Sequence, residues 1–388
     1  MQQRHLTGAV LASAAFFALS MTAGSQVIVS GNDEKVLWDD GGQAVFSPPG
    51  KDTISFIDIG DRENPKILTS IALENSIFGP PTNLAVSPNG EIALVANSVT
   101  QTKDGEKWKP VPDNKVYIFD LKPTPPKQIG TVEVGKQPSG LDISKKGDLA
   151  LVTNRADNSI SVLSISGKDV KVIDTVAMGD SVAHVAISPD GTKALAVKPV
   201  VNKVAFLRID GGKLVYEKYD MPTGVFPYNV DIVPSGGIAI VANNGAAGAA
   251  DGNIDTVSVI DLQQNPPRVI DHVVVGDAPE GFAISPKGDV ALAILVAGNS
   301  DKKAWFSRKT GTAVALKIDG KKVTKVGEIE VGGLAEGVAF SPDGAYAYIG
   351  NFLDSDISIL KINGTQVTDT GKKIKLPGHP ASLRSAPK

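Results

Sequence analysis

The chain alternates between short apolar or alternating runs and clusters of Gly, Pro, Asn and Asp. No segment sustains a 3.6-residue apolar period. Runs such as Ser159-Ile-Ser-Val-Leu-Ser-Ile165 and Asp356-Ile-Ser-Ile-Leu-Lys-Ile362 repeat every second residue, the mark of β-strands. These runs recur in a fixed order. Thr82–Gly90 carries an apolar run closed by Ser-Pro-Asn-Gly, and close copies stand at Ser139–Gly147, Ala183–Gly191, Tyr228–Gly236, Glu280–Gly288 and Glu336–Gly344, with a truncated copy at Ala381–Ser385. The anchor positions 87, 144, 188, 233, 285, 341 and 385 are 57, 44, 45, 52, 56 and 44 residues apart. A constant unit with loops of unequal length explains that spacing.

Each unit reads as four strands. The first ends at the Ser-Pro-x-Gly turn, and the second ends in Asn, as in Ala93–Asn97, Leu151–Asn154 and Tyr348–Asn351. The third alternates with period two, and the fourth runs to a corner such as Val132-Glu-Val-Gly135 or Ile329-Glu-Val-Gly332. Radially repeated four-stranded meanders are the blades of a β-propeller. Six complete units starting at Thr82 are blades 1 to 6. Near the N-terminus Thr53–Ile59 reads as a third strand, with no room for a second strand after Ser47-Pro-Pro-Gly50. Gln43–Ser47 is therefore expected to be the second strand of blade 7, with Ser47 in the Asn position, and His379–Arg384 its first strand. The expectation is an all-β, seven-bladed β-propeller spanning 25–388, closed by strands from both termini so that no sheet edge stays open.

Residues 1–24 have a different pattern. Arg4 and His5 precede the uncharged run Leu6–Ala23, followed by small residues, as in a signal peptide cleaved after Ala23, Gly24 or Ser25. That implies export to a periplasm or the medium, with no membrane anchor after cleavage. Composition narrows the rest. Among 388 residues there is no cysteine, which removes disulfides, thiolate nucleophiles, Cys-ligated zinc and covalently attached haem. With 39 Lys+Arg against 42 Asp+Glu the net charge is −3, which offers nucleic acid no general attraction.

The strand end Leu151-Val-Thr-Asn154, the Ser-Pro-Asp-Gly turns and the Asn-x-Ile-Ser-Val third strands resemble the YVTN-type seven-bladed propellers, over about Gln43 to Arg384. The resemblance implies the fold and a choice of functions: surface-layer modules, lactonase-like enzymes, and heavy subunits of amine dehydrogenases. Trp38-Asp39 is the sole Trp-Asp pair and three tryptophans stand in the chain, so WD40 and quinoprotein propellers fit poorly.

Topology sorts the loops. If the first strand runs down to Ser-Pro-x-Gly, the loops between strands 2 and 3 and those between blades share the opposite, top face. The long segments Ser98–Asn114, Asn244–Asp255 and Val296–Thr312 fall there, which marks the top as the functional face. The residues that open the first strands should rim the channel: Tyr228, Asn229, His184, Glu280 and Glu336. One pair of residues further in, where Ala is usual, stand Asp142, Asp231 and Arg384. Lys198 replaces the Asn that ends a second strand, and His379 opens the closing strand. Asn at the other strand ends is expected to satisfy neighbouring backbone groups.

Catalytic signatures are lacking: no Gly-x-Ser-x-Gly, no His-Glu-x-x-His and no phosphate loop. Asp251-Gly-Asn-Ile-Asp255 imitates a calcium loop, but Thr256 and Leu262 occupy its Gly and Glu positions; a looser calcium site remains the one metal suggested, and no cofactor is expected. The leading expectation is a monomeric, non-catalytic module that binds a periplasmic protein or a small polar or anionic ligand through Lys198, Arg384, Tyr228, Asn229, Asp231, Asp142 and His379. The alternative, implied by the resemblance, is a lactonase-like hydrolase or isomerase with His184, Glu280 and Glu336 as proton-transfer groups. A further alternative is an electron-transfer or dehydrogenase-associated subunit.

Overall fold

The computed structural model describes residues 26–75, 78–246 and 249–386; the expected N-terminal leader lies outside the described residues. Seven four-stranded antiparallel sheets form the ring. Blade 2 shows the unit: Pro138–Ile143, Leu149–Asn154, Ser159–Ser166 and Asp169–Ala177, paired in that order. Its second strand, Leu-Ala-Leu-Val-Thr-Asn, is buried at every position. Both faces of a blade pack on neighbouring blades, so continuous apolar runs replace alternation in the middle of the sheet. The fourth strand, Asp169–Ala177, is mostly exposed and polar because it forms the outer rim.

The core lies between blades. Ile240, Val257 and Val259 of blade 4 pack on Phe282, Ala293 and Leu316 of blade 5 in one buried cluster. Ile28 and Ile57 of blade 7 likewise meet Tyr348 and Ile359 of blade 6. The Ser-Pro-x-Gly turns repeat one geometry. Ser87 N–H donates to Ile92 O at 2.9 Å and Ser87 Oγ accepts from Ile92 N–H at 3.0 Å, while Gly90 sits at φ +64°, a left-handed conformation that suits glycine.

Ring closure follows the expectation at one terminus and corrects it at the other. Pro380–Ser385 is the first strand of blade 7, and Thr53–Asp58 is the third. The second strand is Val27–Asn32, not Gln43–Ser47. Gln43–Ser47 belongs instead to an inserted hairpin, Val36–Trp38 paired with Ala44–Phe46. A polar latch identifies the true strand. Asn32 Nδ2 donates to Thr53 Oγ1 and Ser55 Oγ at 2.9 Å, as Asn154 does to Ser159 and Ser161, Asn243 to Thr256 and Ser258, and Asn351 to Asp356 and Ser358. These asparagines tie second strands to third strands through side-chain oxygens of Ser, Thr and Asp, a structural role, where bonds to backbone groups were expected. Ser98–Asn114 is also ordered differently from a loop: strands Ile92–Asp104 and Lys107–Asp120 continue as a paired ribbon beyond the blade.

Candidate functional site

The first strands line the central channel, and glycines decide its width. A Cβ on Gly140, Gly281 or Gly337 would come under 3.0 Å from His184, the Glu336 backbone or the Leu383 backbone of the next blade. Adjacent first strands therefore approach closely at this level. Gly140 N–H donates to Ala183 O at 2.8 Å, and Thr153 Oγ1 reaches both Gly140 O and Ala183 O. His184 Nδ1 accepts from Val230 N–H at 3.3 Å, and Asn229 Nδ2 donates to Glu280 O at 3.3 Å. These contacts tie the first strands of neighbouring blades into a tight ring at this level, the waist of the channel.

Below the waist a cavity of about 240 Å³ opens among the Ser-Pro-x-Gly turns, between Pro189, Pro234 and Pro286. It ends inward at His184 and Asn229, and Asp142, Asp231 and Arg384 stand on its wall. The two aspartates are built alike. Asp142 accepts from Ile143 N–H and, across to blade 3, Ile187 N–H, both at 2.8 Å; Asp231 accepts from Ile232 N–H and, across to blade 5, Ile284 N–H, both at 2.8 Å. Burial pushes Asp142 up to about 7 against those N–H donors, with nearby Asp231 adding to the rise and Arg384 opposing it. Asp231 is raised by burial too. Burial lowers the pKa of Arg384 while the two aspartates hold it up. Arg384 Nη1 donates to Leu383 O at 3.0 Å, and Nε and Nη2 have no hydrogen-bond partner among the described residues. His184 is kept neutral by burial and by Arg384. Since its Nδ1 accepts from Val230, the proton sits on Nε2.

Above the waist the channel is roofed. Val36 of the inserted hairpin packs with Ala278, Val296, Leu334, Phe352 and Ala381, residues of the top loops and of the closing strand. Trp38 meets Phe352 edge-on at 5.4 Å and Phe46 meets Phe78 at 5.9 Å. His379 Nδ1 pairs with Glu34 Oε1 at 2.7 Å, and its ring stacks on Phe352 at 4.9 Å. Lys35, fully buried, anchors the base of the hairpin on Asp52 and Asn75 O, with Asp33 at 3.6 Å. Burial and the Asp33 charge lift Asp52 to about 6 although Lys35 pulls it down. Tyr228, Glu280 and Glu336, at the starts of their first strands, are buried, and Arg155 from the end of a second strand lies over the Tyr228 ring at 5.8 Å.

The candidate residues thus divide. Asp142, Asp231, Arg384, His184 and Asn229 share the open cavity; Tyr228, Glu280 and Glu336 share the roofed side; His379 belongs to the roof itself. Lys198 joins neither. Its Nζ donates to Met178 O and Tyr216 Oη at 2.7 Å and to Asp220 at 3.0 Å, well within the blade stack. Tyr216 and Asp220 raise its pKa against the opposing effect of burial. Asp251 and Asp255 of the calcium-like loop accept backbone N–H groups, from Asn253 at 2.9 Å and Ala278 at 3.0 Å. No group of three or more His, Asp or Glu suited to a metal exists among the described residues. Sequence reasoning missed Arg155 and the Asp33–Lys35–Asp52 cluster. One signal was present: Ser30-Gly-Asn32 matches Ile349-Gly-Asn351 and marks a second strand before the insertion.

Ring, waist and blade pattern define a seven-bladed β-propeller. No protein-family model and no curated protein matches the chain, whereas many solved structures share its fold. A periplasmic gluconolactonase of Pseudomonas aeruginosa superposes with TM-score 0.67 at 17% identity, covering 92% of this chain and 98% of the other. A candidate 6-phosphogluconolactonase of Bacteroides fragilis gives 0.68 at 18%, covering 94% and 98%. Hydrazine synthase of Kuenenia stuttgartiensis gives 0.62 at 20%, covering 81% and 92%. At such identities the likeness shows the fold alone. Among the described residues no helix is long and apolar enough to cross a membrane.

Proposed function

We propose that this chain is an exported YVTN-type propeller that binds a small anionic, hydroxyl-bearing molecule, such as a sugar acid, in the open half of its channel. The observation that carries the reading is Arg384: a guanidinium with unspent donors on a cavity wall, flanked by neutral His184 and by Asn229. Guanidinium donors form strong charge-assisted bonds to carboxylates. The cavity volume of about 240 Å³ lies below the roughly 300–1,000 Å³ of ordinary ligand sites, which favours a ligand of monosaccharide size. The site would lie on the face of the Ser-Pro-x-Gly turns, not on the top face.

A second reading, lactone hydrolysis, is favoured by Asp142, whose pKa of about 7 suits a general base near neutrality. Gluconolactonases among the fold neighbours supply the substrate class. Water would add to the lactone carbonyl, the ring C–O bond would break, and a hydroxy acid would leave. Calorimetric titration of the protein with gluconate, and a pH-stat assay with gluconolactone, test both readings. Arg384→Ala should weaken gluconate binding at least about tenfold with the fold intact. Undiminished affinity in Arg384→Ala would remove the proposed site, and turnover lost in Asp142→Asn while binding survives would select hydrolysis.

A further inference from the structure

A second concave site lies away from the channel, where blades 4 and 5 meet at their outer strands, Arg268–Gly276 and Lys322–Glu330. The long top loops of the same two blades, Asn244–Asp255 and Val296–Thr312, come together over it. The groove between loops and strands holds about 520 Å³, inside the roughly 300–1,000 Å³ usual for ligand sites.

Aromatic rings laid on glycines join the two loops. A Cβ on Gly252 would stand 2.7 Å from the Phe306 ring and 2.9 Å from the Trp305 ring, and one on Gly298 would stand 2.7 Å from the Phe306 ring. Both glycines have positive φ, +82° and +75°, so side chains are disfavoured there twice over. Asn299 braces the loop from within. Its Nδ2 donates to Arg308 O at 2.8 Å and Thr310 O at 2.9 Å, and its Oδ1 accepts from Leu334 N–H at 2.9 Å. From this frame Trp305, perpendicular to Phe306 at 5.5 Å, faces solvent and is 86% exposed. Ile254, on the same groove, is 71% exposed. A braced loop that keeps a flat apolar ring in water offers a preorganised contact surface.

Charge along the groove is balanced. Lys325 Nζ donates to Val275 O at 2.8 Å and pairs with Glu328 at 2.6 Å. Asp277 accepts from Asp251 N–H at 3.2 Å and Gly252 N–H at 2.9 Å. Burial raises the pKa of Asp277, and the Arg308 charge opposes the rise. Two acids and two bases sum to zero, so the groove has no net charge to offer an ion. Charged groups inside it also replace the apolar centre that a protein interface needs. Donors and acceptors set around an aromatic face fit an occupant with C–H groups on its ring and hydroxyls, which both donate and accept. We propose that this groove binds a neutral oligosaccharide, with one sugar ring stacked on Trp305 and hydroxyl groups bonded to Asp277 and Arg308. The site shares no residue with the channel, and this reading is independent of the anion proposed there.

The test uses the whole protein, with cellotriose, maltotriose and tri-N-acetylchitotriose as neutral probes and trigalacturonate as an anionic one. Tryptophan emission and saturation-transfer NMR on the sugar protons read binding. At least one neutral probe should give a saturable change in both, with Kd near or below about 1 mM. Trp305→Ala, at an exposed position that leaves the fold intact, should weaken the affinity seen by NMR at least about tenfold, and Arg308→Ala about threefold. No saturable response to any neutral trisaccharide up to about 20 mM would overturn the proposal. Equal affinity in Trp305→Ala, or tighter binding of trigalacturonate, would do the same. So would a Trp305-dependent dimer in sedimentation velocity, which would give the groove to a second copy of this chain.

Discussion

The two halves of the channel are built from the same strands and do opposite things with charge. Below the waist, Asp142 and Asp231 each spend both carboxylate oxygens on backbone N–H groups of two blades, and the group left with unspent donors is a cation, Arg384. Above it, Glu336 keeps a buried oxygen unpartnered and the cation, Arg155, lies over an aromatic ring and donates to Phe78 O at 3.3 Å. The lower half opens between turns; the upper is covered by the hairpin Val36–Phe46. The difference teaches that the level of a residue on the strand, more than its charge, sets its role. Close contacts at Gly140, Gly281 and Gly337 join the first strands of neighbouring blades at the level between the two sets of residues.

The largest effect should come from removing the frame common to both halves. Deleting residues 379–388 takes away the first strand of blade 7 and the His379–Glu34 tie of the roof, and exposes the edges of Val27–Asn32. Aggregation or loss of the cooperative melting transition is expected. A truncated protein that stays monomeric with unchanged Tm would show that closure does not hold the two compartments together.

A smaller effect separates channel from scaffold. Lys198→Ala leaves Asp220 and Tyr216 without their buried cation, which should cost about 3 kcal/mol of stability. Chemical denaturation measures that loss, while gluconate affinity measured alongside should stay as in the parent. Weaker binding in this variant would join Lys198 to the lower cavity and blur the division.

The smallest effect concerns the lower half alone. Ionised Asp142 adds negative charge beside an anion, so affinity for gluconate should fall as pH rises through about 7. Asp142→Asn should flatten that profile by a factor of about three to ten. The folded-state rise from the ordinary 3.8 also means that Asp142 stabilises the fold below about pH 4 and loses that contribution as pH climbs through about 7, so the Asn variant should gain relative stability at alkaline pH. A binding profile of equal slope in both proteins would place the titrating group elsewhere, and melting curves of both proteins across the same pH range check the stability sign.

Much of this protein was legible in its residues because a repeat states the same physics several times. Six copies of an apolar run with its turn and a seventh truncated one, the period-two third strands and the Asn strand ends determined blade number and closure by the C-terminal strand. The chemistry-bearing departures, Asp142, Asp231 and Arg384 among alanines, were visible for the same reason. Tertiary structure decided which of them meet. The insertion after Asn32 stands where other units carry long loops of unrelated sequence, so periodicity could not show that Gln43–Ser47 leaves the blade and packs against the top loops. Nor could spacing along the chain tell that Lys198 turns into the blade stack toward Asp220, or that glycines at the waist let strands close between His184 and Glu336. Those are distances between residues far apart in sequence, and only the closed ring sets them.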